Sequence, residues 1–322
     1  PTRTPFTIGF RQFNNHPGDT IQIPPSIEGA AAAITSCAMR HTTETPNRSF
    51  PSERPTIPQV STDEDVETAD YDEGSDDNPI VFRSPRSLDS LFALGPLAFY
   101  LGAHVVVEDR QTPLLELGSE ALEFSRTSAF AEEVAAILRR VFFLDCLVRE
   151  VGPRRLGIWE FELLEQISLE PEDLYRSSML DRVKAYLDEP FETISSDLPD
   201  WPLAIFVDPT VDNLPTIPYL LERLSIVFPP RASPIDGLGL VERSLDDFYR
   251  STTSGQSHEQ PIEISTPDGT KVQIHGWIGD GSPIDGFKCL PEAVENQRDY
   301  LVSPSEPINI SVVVNDDSMD VE

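Results

Sequence analysis

The most apolar run of the chain, residues Leu91 to Val107, limits the folds that it can adopt. Four residues interrupt this run, namely Gly95, Pro96, Gly102 and His104. The run is also shorter than the roughly 20 apolar residues that a membrane-spanning helix requires. We therefore predict a buried helix from Leu88 to Leu101, capped by Ser87, followed by a β-branched strand from Ala103 to Val107.

The clearest helical pattern lies between Ser128 and Glu150, where apolar side chains recur at a spacing of three to four residues. Around Phe142, Phe143 and Leu144 this segment is apolar on all sides, which is typical of a helix inside a core. We therefore expect four side chains of this helix to be nearly inaccessible to water, namely Leu138, Val141, Phe142 and Leu144.

Helical and strand-like segments alternate from Ile80 to Phe228. Further strands are predicted at Ile80–Phe82, Leu114–Leu117, Leu203–Val207 and Ile226–Phe228, and further helices at Ile158–Ile167, Glu172–Leu187 and Asn213–Leu224. The strand at Leu114–Leu117 is expected to pair with the strand at Ala103–Val107. The alternation predicts an α/β fold, with a mixed α+β arrangement as the alternative, in which helices pack on a small mixed sheet.

Composition divides the chain into four parts. Residues 1–60 carry short strands, one helix from Ile27 to about Arg40 and a proline-rich extended stretch. Residues 61–78 are almost all acidic or small and polar, which predicts a mobile loop. Residues 79–230 form the helix-rich α/β core. Residues 231–322 are β-rich, with a predicted hairpin of Pro261–Thr266 and Lys271–Ile278.

The acidic excess is the strongest compositional feature, with 55 Asp and Glu against 24 Lys and Arg and a net charge of −31. Such a charge destabilises a compact chain unless ions screen it, and at 1 M salt the Debye length falls to about 3 Å. An acidic, lysine-poor composition resembles that of proteins from extreme halophiles; a surface for basic partners is the alternative. Nucleic-acid binding is disfavoured because no basic stripe could neutralise phosphates.

The cysteines, Cys37, Cys146 and Cys289, are odd in number and form no CxxC pair. Neither a disulfide framework nor a zinc site is indicated, so we expect reduced thiols in a cytoplasmic protein. No signal peptide is visible in these residues, and we expect none of their apolar runs to span a membrane. It indicates no cofactor and no metal.

The candidate chemistry centres on His275 and Cys289, which flank a glycine-rich stretch from Gly279 to Gly286. A Cys–His pair is a nucleophile and base combination, but a half-buried histidine in a strand and an inert thiol are the simpler interpretation. The glycine spacing matches neither the Walker nor the dinucleotide pattern, which favours a turn-rich connector. We therefore assign no catalytic residue and keep His275 and Cys289 as weak candidates.

Two further motifs have structural interpretations. The residues Asp70, Asp72, Gly74 and Asp76 resemble a calcium loop, but the glycine comes one residue early and the closing Glu is missing. This favours a solvated acidic loop over a calcium site. Asp145 interrupts the apolar run of the central helix, and a buried acid needs a partner. Arg149, one turn later, is the expected partner in a structural ion pair.

The last residues, Ile308 to Glu322, read INISVVVNDDSMDVE. They resemble the opening strand of the CHAT domain, a caspase-like cysteine-protease relative found in halophilic archaea and some bacteria. The segments Leu138–Pro153 and Ala185–Trp201 are similar to blocks in uncharacterised haloarchaeal proteins of that kind. The resemblance implies that the chain ends at the first strand of a following domain, and that the catalytic His and Cys lie beyond Glu322.

We therefore expect a non-catalytic N-terminal module that senses, scaffolds or recruits, and that controls a downstream caspase-like effector. Its expected partners are the downstream domain of the same polypeptide and a further protein, with no nucleic acid and no membrane. The first alternative is a stand-alone hydrolase that uses the Gly279 to Cys289 region. The second is a structural interaction protein.

Overall fold

A computed structural model describes residues 20–66, 78–126, 129–229, 232–234, 261–264, 272–283 and 286–290. Several predicted features lie outside the described residues. They are residues 1–19 with part of the predicted N-terminal strands, most of the acidic loop, the calcium-like residues at 70–76, much of the β-rich part after residue 230, and the segment 308–322 that carries the CHAT resemblance.

The helices are α1 (Ile27–Ala38), α2 (Leu88–Leu101), α3 (Ala129–Val148), α4 (Pro171–Arg176), α5 (Met179–Asp188), α6 (Glu192–Ser195) and α7 (Ile217–Glu222). Short 3₁₀ helices span Pro46–Ser49, Pro51–Glu53, Arg149–Val151, Trp159–Gln166 and Val211–Thr216. Serine side chains cap three α-helices by accepting a backbone N–H of the first turn; they are Ser26, Ser87 and Ser178.

The strands are β1 (Thr20–Ile23), β2 (Gln59–Thr62), β3 (Ile80–Pro85), β4 (His104–Glu108), β5 (Leu114–Leu117), β6 (Glu120–Glu123), β7 (Trp201–Val207), β8 (Ile226–Phe228), β9 (Ala232–Pro234), β10 (Pro261–Ile264), β11 (Val272–Ile278), β12 (Ser282–Pro283) and β13 (Phe287–Lys288). Together with the helices they confirm the predicted α/β class with small sheets.

One four-stranded sheet is mixed and has the order β4-β3-β5-β6. Strand β5 pairs with β3 in antiparallel orientation, with Phe82 opposite Leu115, so the predicted pairing of β5 with β4 is wrong. Strand β4 instead lies parallel to β3 at the edge of the sheet. Helix α1 covers that edge, because the Thr35 hydroxyl accepts the backbone N–H of Val105 at 3.0 Å. This contact protects an otherwise unpaired strand edge.

The second four-stranded sheet is parallel, with the order β13-β11-β7-β8. Trp277 of β11 lies opposite Phe206 of β7, and both side chains are buried. The predicted hairpin of Pro261–Thr266 with Lys271–Ile278 is wrong, because β10 pairs with β9 and β12 in another sheet. Alternating apolar residues predict strands, but they do not reveal which strands pair across a long separation in sequence.

The core is organised around α2, in which every residue from Leu91 to Leu101 is buried. It contacts α1, α3, α7 and β8, so it is covered from several sides. Gly95 allows close packing, because a Cβ there would lie 3.3 Å from the Leu221 side chain. Gly102 ends the helix in the left-handed conformation at φ 70°. Among the described residues, no helix has the length and hydropathy needed to cross a bilayer.

Helix α3 packs on α2 along the predicted stripe, with Leu138, Val141 and Leu144 at most 1% exposed. Phe142 is only partly buried, so its predicted inaccessibility is wrong. Its ring lies against Tyr100 and Trp201, with ring centroids 5.7 and 5.3 Å apart. The reason is geometric: the core covers only part of the circumference of this helix, so apolar residues on its flanks remain partly in water.

Candidate functional site

His275 lies on β11, and Cys289 directly follows the neighbouring strand β13, at a different level of the parallel sheet. Gly276 pairs with Phe287, which places Cys289 three positions further along than His275. At about 3.3 Å per residue this offset is about 10 Å along the strand direction. The His275 ring lies against Phe206, with centroids 6.3 Å apart. The strand register therefore keeps His275 and Cys289 farther apart than the length of a hydrogen bond.

The environment of the cysteines opposes thiolate formation. Burial raises the pKa of Cys289 above its ordinary value. Burial likewise raises the pKa of Cys146 to about 11, and the nearby Arg149 acts in the opposite direction. A nucleophilic cysteine requires a lowered pKa, so both thiols have the electrostatics of inert groups.

The glycine-rich stretch begins with a close backbone contact at the carboxyl ends of β7 and β11. A Cβ on Gly279 would lie 2.1 Å from a carboxylate oxygen of Asp208, and Gly279 has φ 152°. The Asp208 carboxylate accepts the backbone N–H of Asp280 at 3.1 Å. Asp208, which follows β7, therefore holds the backbone directly after β11 in place. Among the described residues, no cluster of histidine, cysteine and carboxylate side chains has the arrangement of a metal site.

Asp145 lies in a fully buried polar cluster with α2 and α5. One carboxylate oxygen accepts the Arg182 Nε at 3.0 Å and the Tyr186 hydroxyl at 3.0 Å, and the other accepts the Tyr100 hydroxyl at 2.9 Å. The side chains of Asp145 and Arg182 are both 0% exposed. The predicted ion pair with Arg149 is therefore wrong, and the true partner is 37 residues away.

Arg149 lies beyond the end of α3, in the 3₁₀ helix Arg149–Val151, and its side chain takes another direction. It donates a hydrogen bond to the Ser49 hydroxyl at 2.7 Å and lies 3.8 Å from the centroid of the Phe50 ring. Because the polar groups of Asp145 are satisfied within the core, the cluster holds α2, α3 and α5 together. This is a structural role.

A cleft of about 840 Å³ lies on one face of the parallel sheet and is the best candidate for a binding site. One wall is the segment 51–57, a second is α7 with the following Arg223, and the floor includes Leu203 of β7 and Ile274 of β11. Phe99 of α2 also lines the cleft. Phe287 of β13 completes the lining.

The cleft is apolar but accessible to water. Ile274 is 52% exposed and Phe287 is 38% exposed, although both belong to strands of the sheet. The Phe287 ring lies across Gly276, where a Cβ would come within 2.9 Å of it. Gly276 therefore makes room for an aromatic ring at the side of the cleft, and any larger residue would displace it.

Two arginines, Arg54 and Arg223, and one carboxylate, Glu222, line this cleft, so its positive charges outnumber its negative one in a chain with a net charge of −31. The Arg54 guanidinium donates to the backbone carbonyl of Glu222 at 3.4 Å, which is a long hydrogen bond. Neither Arg54 nor Arg223 forms a salt bridge with any carboxylate in the described part of the chain. Burial lowers the pKa of Arg54, which shows that its charge is partly desolvated.

His41 packs against Phe99, one of the residues that line the cleft, with the two ring centroids 4.8 Å apart. Burial lowers the pKa of His41 to about 3, and repulsion by Arg48 adds to this effect. The imidazole is therefore neutral at physiological pH and does not compete with Arg54 for an anion. A partly desolvated cation beside apolar and aromatic side chains is suited to a ligand that combines an anion with an apolar group.

Arg54 and the other residues of the cleft come from six separate segments between residues 51 and 287, so no local sequence motif contains them. The one available signal was an arginine between Pro51 and Pro55 in an otherwise acidic chain.

Comparison of the chain with protein-family models, with curated proteins and with solved structures finds no match.

Proposed function

We propose that this chain is a recognition module, and that its cleft binds an acidic segment carrying an apolar side chain. The observation that carries the proposal is Arg54, a partly desolvated guanidinium that forms no salt bridge among the described residues and feels the Glu222 carboxylate only from a longer distance. Charge-assisted hydrogen bonds from arginine to a carboxylate contribute about 1.5–3 kcal/mol, more than neutral ones. The bound carboxylate would supply the partner that Arg54 lacks.

The apolar lining determines the rest of the ligand. Ile274 and Phe287 expose enough apolar surface to cover an aliphatic or aromatic side chain, and Tyr219 lies on the opposite wall. Burial of that side chain contributes about 25 cal/mol per Å² of apolar area removed from water. The cleft therefore recognises both the negative charge and the apolar side chain of its ligand.

We further propose that recognition in the cleft controls a caspase-like effector in the same polypeptide. This link rests on the resemblance of residues 308–322 to the opening strand of the CHAT domain. A stand-alone hydrolase is the weaker candidate, because the strand register keeps His275 and Cys289 apart and burial raises the pKa of the thiol.

The smallest suitable probe is N-acetyl-phenylalanine, and its uncharged amide is the matched control ligand. Titration followed by NMR or calorimetry should show the acid binding at least about tenfold more tightly than the amide, since one charge-assisted hydrogen bond separates them. The Arg54→Gln variant should remove this preference. The exposed Arg176 provides a matched control, and Arg176→Gln should leave it unchanged.

Equal binding of acid and amide, or a preference that survives in Arg54→Gln, would contradict the proposal. The Cys289→Ala variant separates the two candidate functions. It should bind N-acetyl-phenylalanine as the unmodified chain does, whereas loss of a measurable peptidase activity in this variant would support the hydrolase.

A further inference from the structure

The most exposed large apolar side chains among the described residues lie close together in sequence. They belong to the segment between α3 and α4, in the loop that leads into the 3₁₀ helix Trp159–Gln166. Leu156 and Trp159 are each 63% exposed. Tryptophan is enriched among the residues that dominate protein interfaces, because it buries a large area at little cost in conformational entropy. A leucine and a tryptophan left in water three residues apart therefore need an explanation.

The loop is held in one conformation by buried groups. The Glu150 carboxylate, in a residue only 7% exposed, accepts the backbone N–H of Leu156 at 2.8 Å and of Gly157 at 2.7 Å. Gly157 has φ 71°, a left-handed conformation that favours glycine. At the start of the loop, the Tyr175 ring packs on Gly152, where a Cβ would lie 2.5 Å away.

This preorganisation matters for binding. A loop that is already fixed loses less conformational entropy when a partner binds, so more of the contact energy appears as affinity. Glu150 and Gly157 fix the backbone, but they do not cover the side chains of Leu156 and Trp159. The loop therefore presents two apolar side chains on a rigid support.

The charges around the loop indicate the chemistry of its partner. Arg154 and the exposed Arg155 precede Leu156, and Arg154 forms an ion pair with Glu53. A cationic site beside an apolar one is complementary to a partner with acidic groups around an apolar pocket. Glu160 and Glu162 follow Trp159, so the cationic side chains lie only on the N-terminal side of the apolar pair.

We propose that the loop from Gly152 to Trp159 is a docking element for a protein partner that presents an apolar pocket with an acidic rim. Leu156 and Trp159 enter the pocket, and Arg155 contacts the rim. The loop contacts the segment 51–57 through the ion pair of Arg154 with Glu53, but Arg155, Leu156 and Trp159 do not line the cleft. The proposal therefore does not depend on the function proposed for the cleft.

The test uses a displayed library of random 12-residue peptides, with the full chain as bait. The bait carries Arg54→Gln, so that acidic peptides are not selected by the cleft. The enriched peptides should combine acidic with apolar residues. In this background, Trp159→Ala and Leu156→Ser should each weaken their binding at least about tenfold. Leu122→Ser, which changes another exposed leucine, should leave binding unchanged.

The salt dependence of binding distinguishes the ionic contact of Arg155 from the apolar contact of Trp159. Arg155→Ser should weaken binding about threefold at 0.15 M KCl and not at 2 M KCl, where charges are screened, whereas the effect of Trp159→Ala should persist. The urea midpoint of each variant should equal that of the bait, because these side chains are exposed.

Three results would overturn the proposal. The first is peptides that bind the Trp159→Ala bait as tightly as the parent bait. The second is enriched peptides without acidic residues. The third is cosedimentation with phosphatidylglycerol vesicles that is lost in Trp159→Ala, which would assign the loop to a membrane surface instead.

Discussion

Replacing Arg182 by methionine tests whether the buried ion pair holds the core together. Arg182 and Asp145 are both 0% exposed and are joined at 3.0 Å. Methionine keeps much of the length of the side chain but removes the guanidinium. The Asp145 carboxylate then retains only the hydroxyl donors of Tyr100 and Tyr186. The Ser177 carbonyl also loses its hydrogen bond from Arg182, at 2.9 Å.

The magnitude follows from burial. Removing one partner of a buried ion pair typically costs about 3–5 kcal/mol, because the remaining charge is left without compensation in a medium of low dielectric. We therefore expect Arg182→Met to lower the free energy of unfolding by that amount. The exposed Arg176, on the preceding helix, offers a matched control. Arg176→Met should cost less than about 0.5 kcal/mol.

Urea unfolding followed by circular dichroism measures both variants, provided the slope of the transition stays constant. The variant Asp145→Leu and the double variant complete a mutant cycle. Removing both charges should cost less than the sum of the single changes, with a coupling energy of about 2 kcal/mol. Additive effects, or a loss below about 1 kcal/mol for Arg182→Met, would refute the assignment of Arg182 as the partner of Asp145.

Three further predictions concern stability. The net charge of −31 should make the urea midpoint rise between low salt and 2 M KCl, and an unchanged midpoint would contradict the halophile interpretation. Leu144→Ala should cost about 3–5 kcal/mol and Phe142→Ala only about 2 kcal/mol, because part of the phenylalanine ring is already in water; equal losses by urea titration would contradict this. The pKa of His41 falls from 6.5 to about 3 on folding, so below pH 6.5 the unfolded state binds a proton that the folded state does not. The free energy of unfolding should then decrease by up to about 1.4 kcal/mol for each unit by which the pH falls below about 6.5. The loss of unfolding free energy between pH 7 and pH 5 should be smaller in His41→Gln.

Elements whose signals are local could be predicted closely from the sequence. Helix α2 has the predicted bounds, and α1 begins at the predicted residue. Ser26 and Ser87 mark the starts of the two helices because a serine side chain accepts N–H groups of the first turn, within three residues. The signal and the structure that it predicts therefore lie in the same short segment.

One helix is predicted from Glu172 to Leu187, but the structure has two, because α4 ends at Arg176 and α5 begins at Met179. Ser178 caps the second helix through the backbone N–H of Asp181. The break lets Arg182 reach Asp145, with its Nη1 bonded to the carbonyl of Ser177. A continuous helix, which the sequence favours, would carry those groups in other directions.

Three properties of this protein follow from its sequence alone: the acidic character, the apolar helices and the α/β class. The partners across the fold were decided only by the tertiary structure: β5 with β3, β11 with β7, Asp145 with Arg182, and Arg54 with an apolar cleft. The physical reason is range. Capping and periodicity act over a few residues, whereas strand register, a buried charge and a cleft depend on segments far apart in sequence that meet only when the core packs.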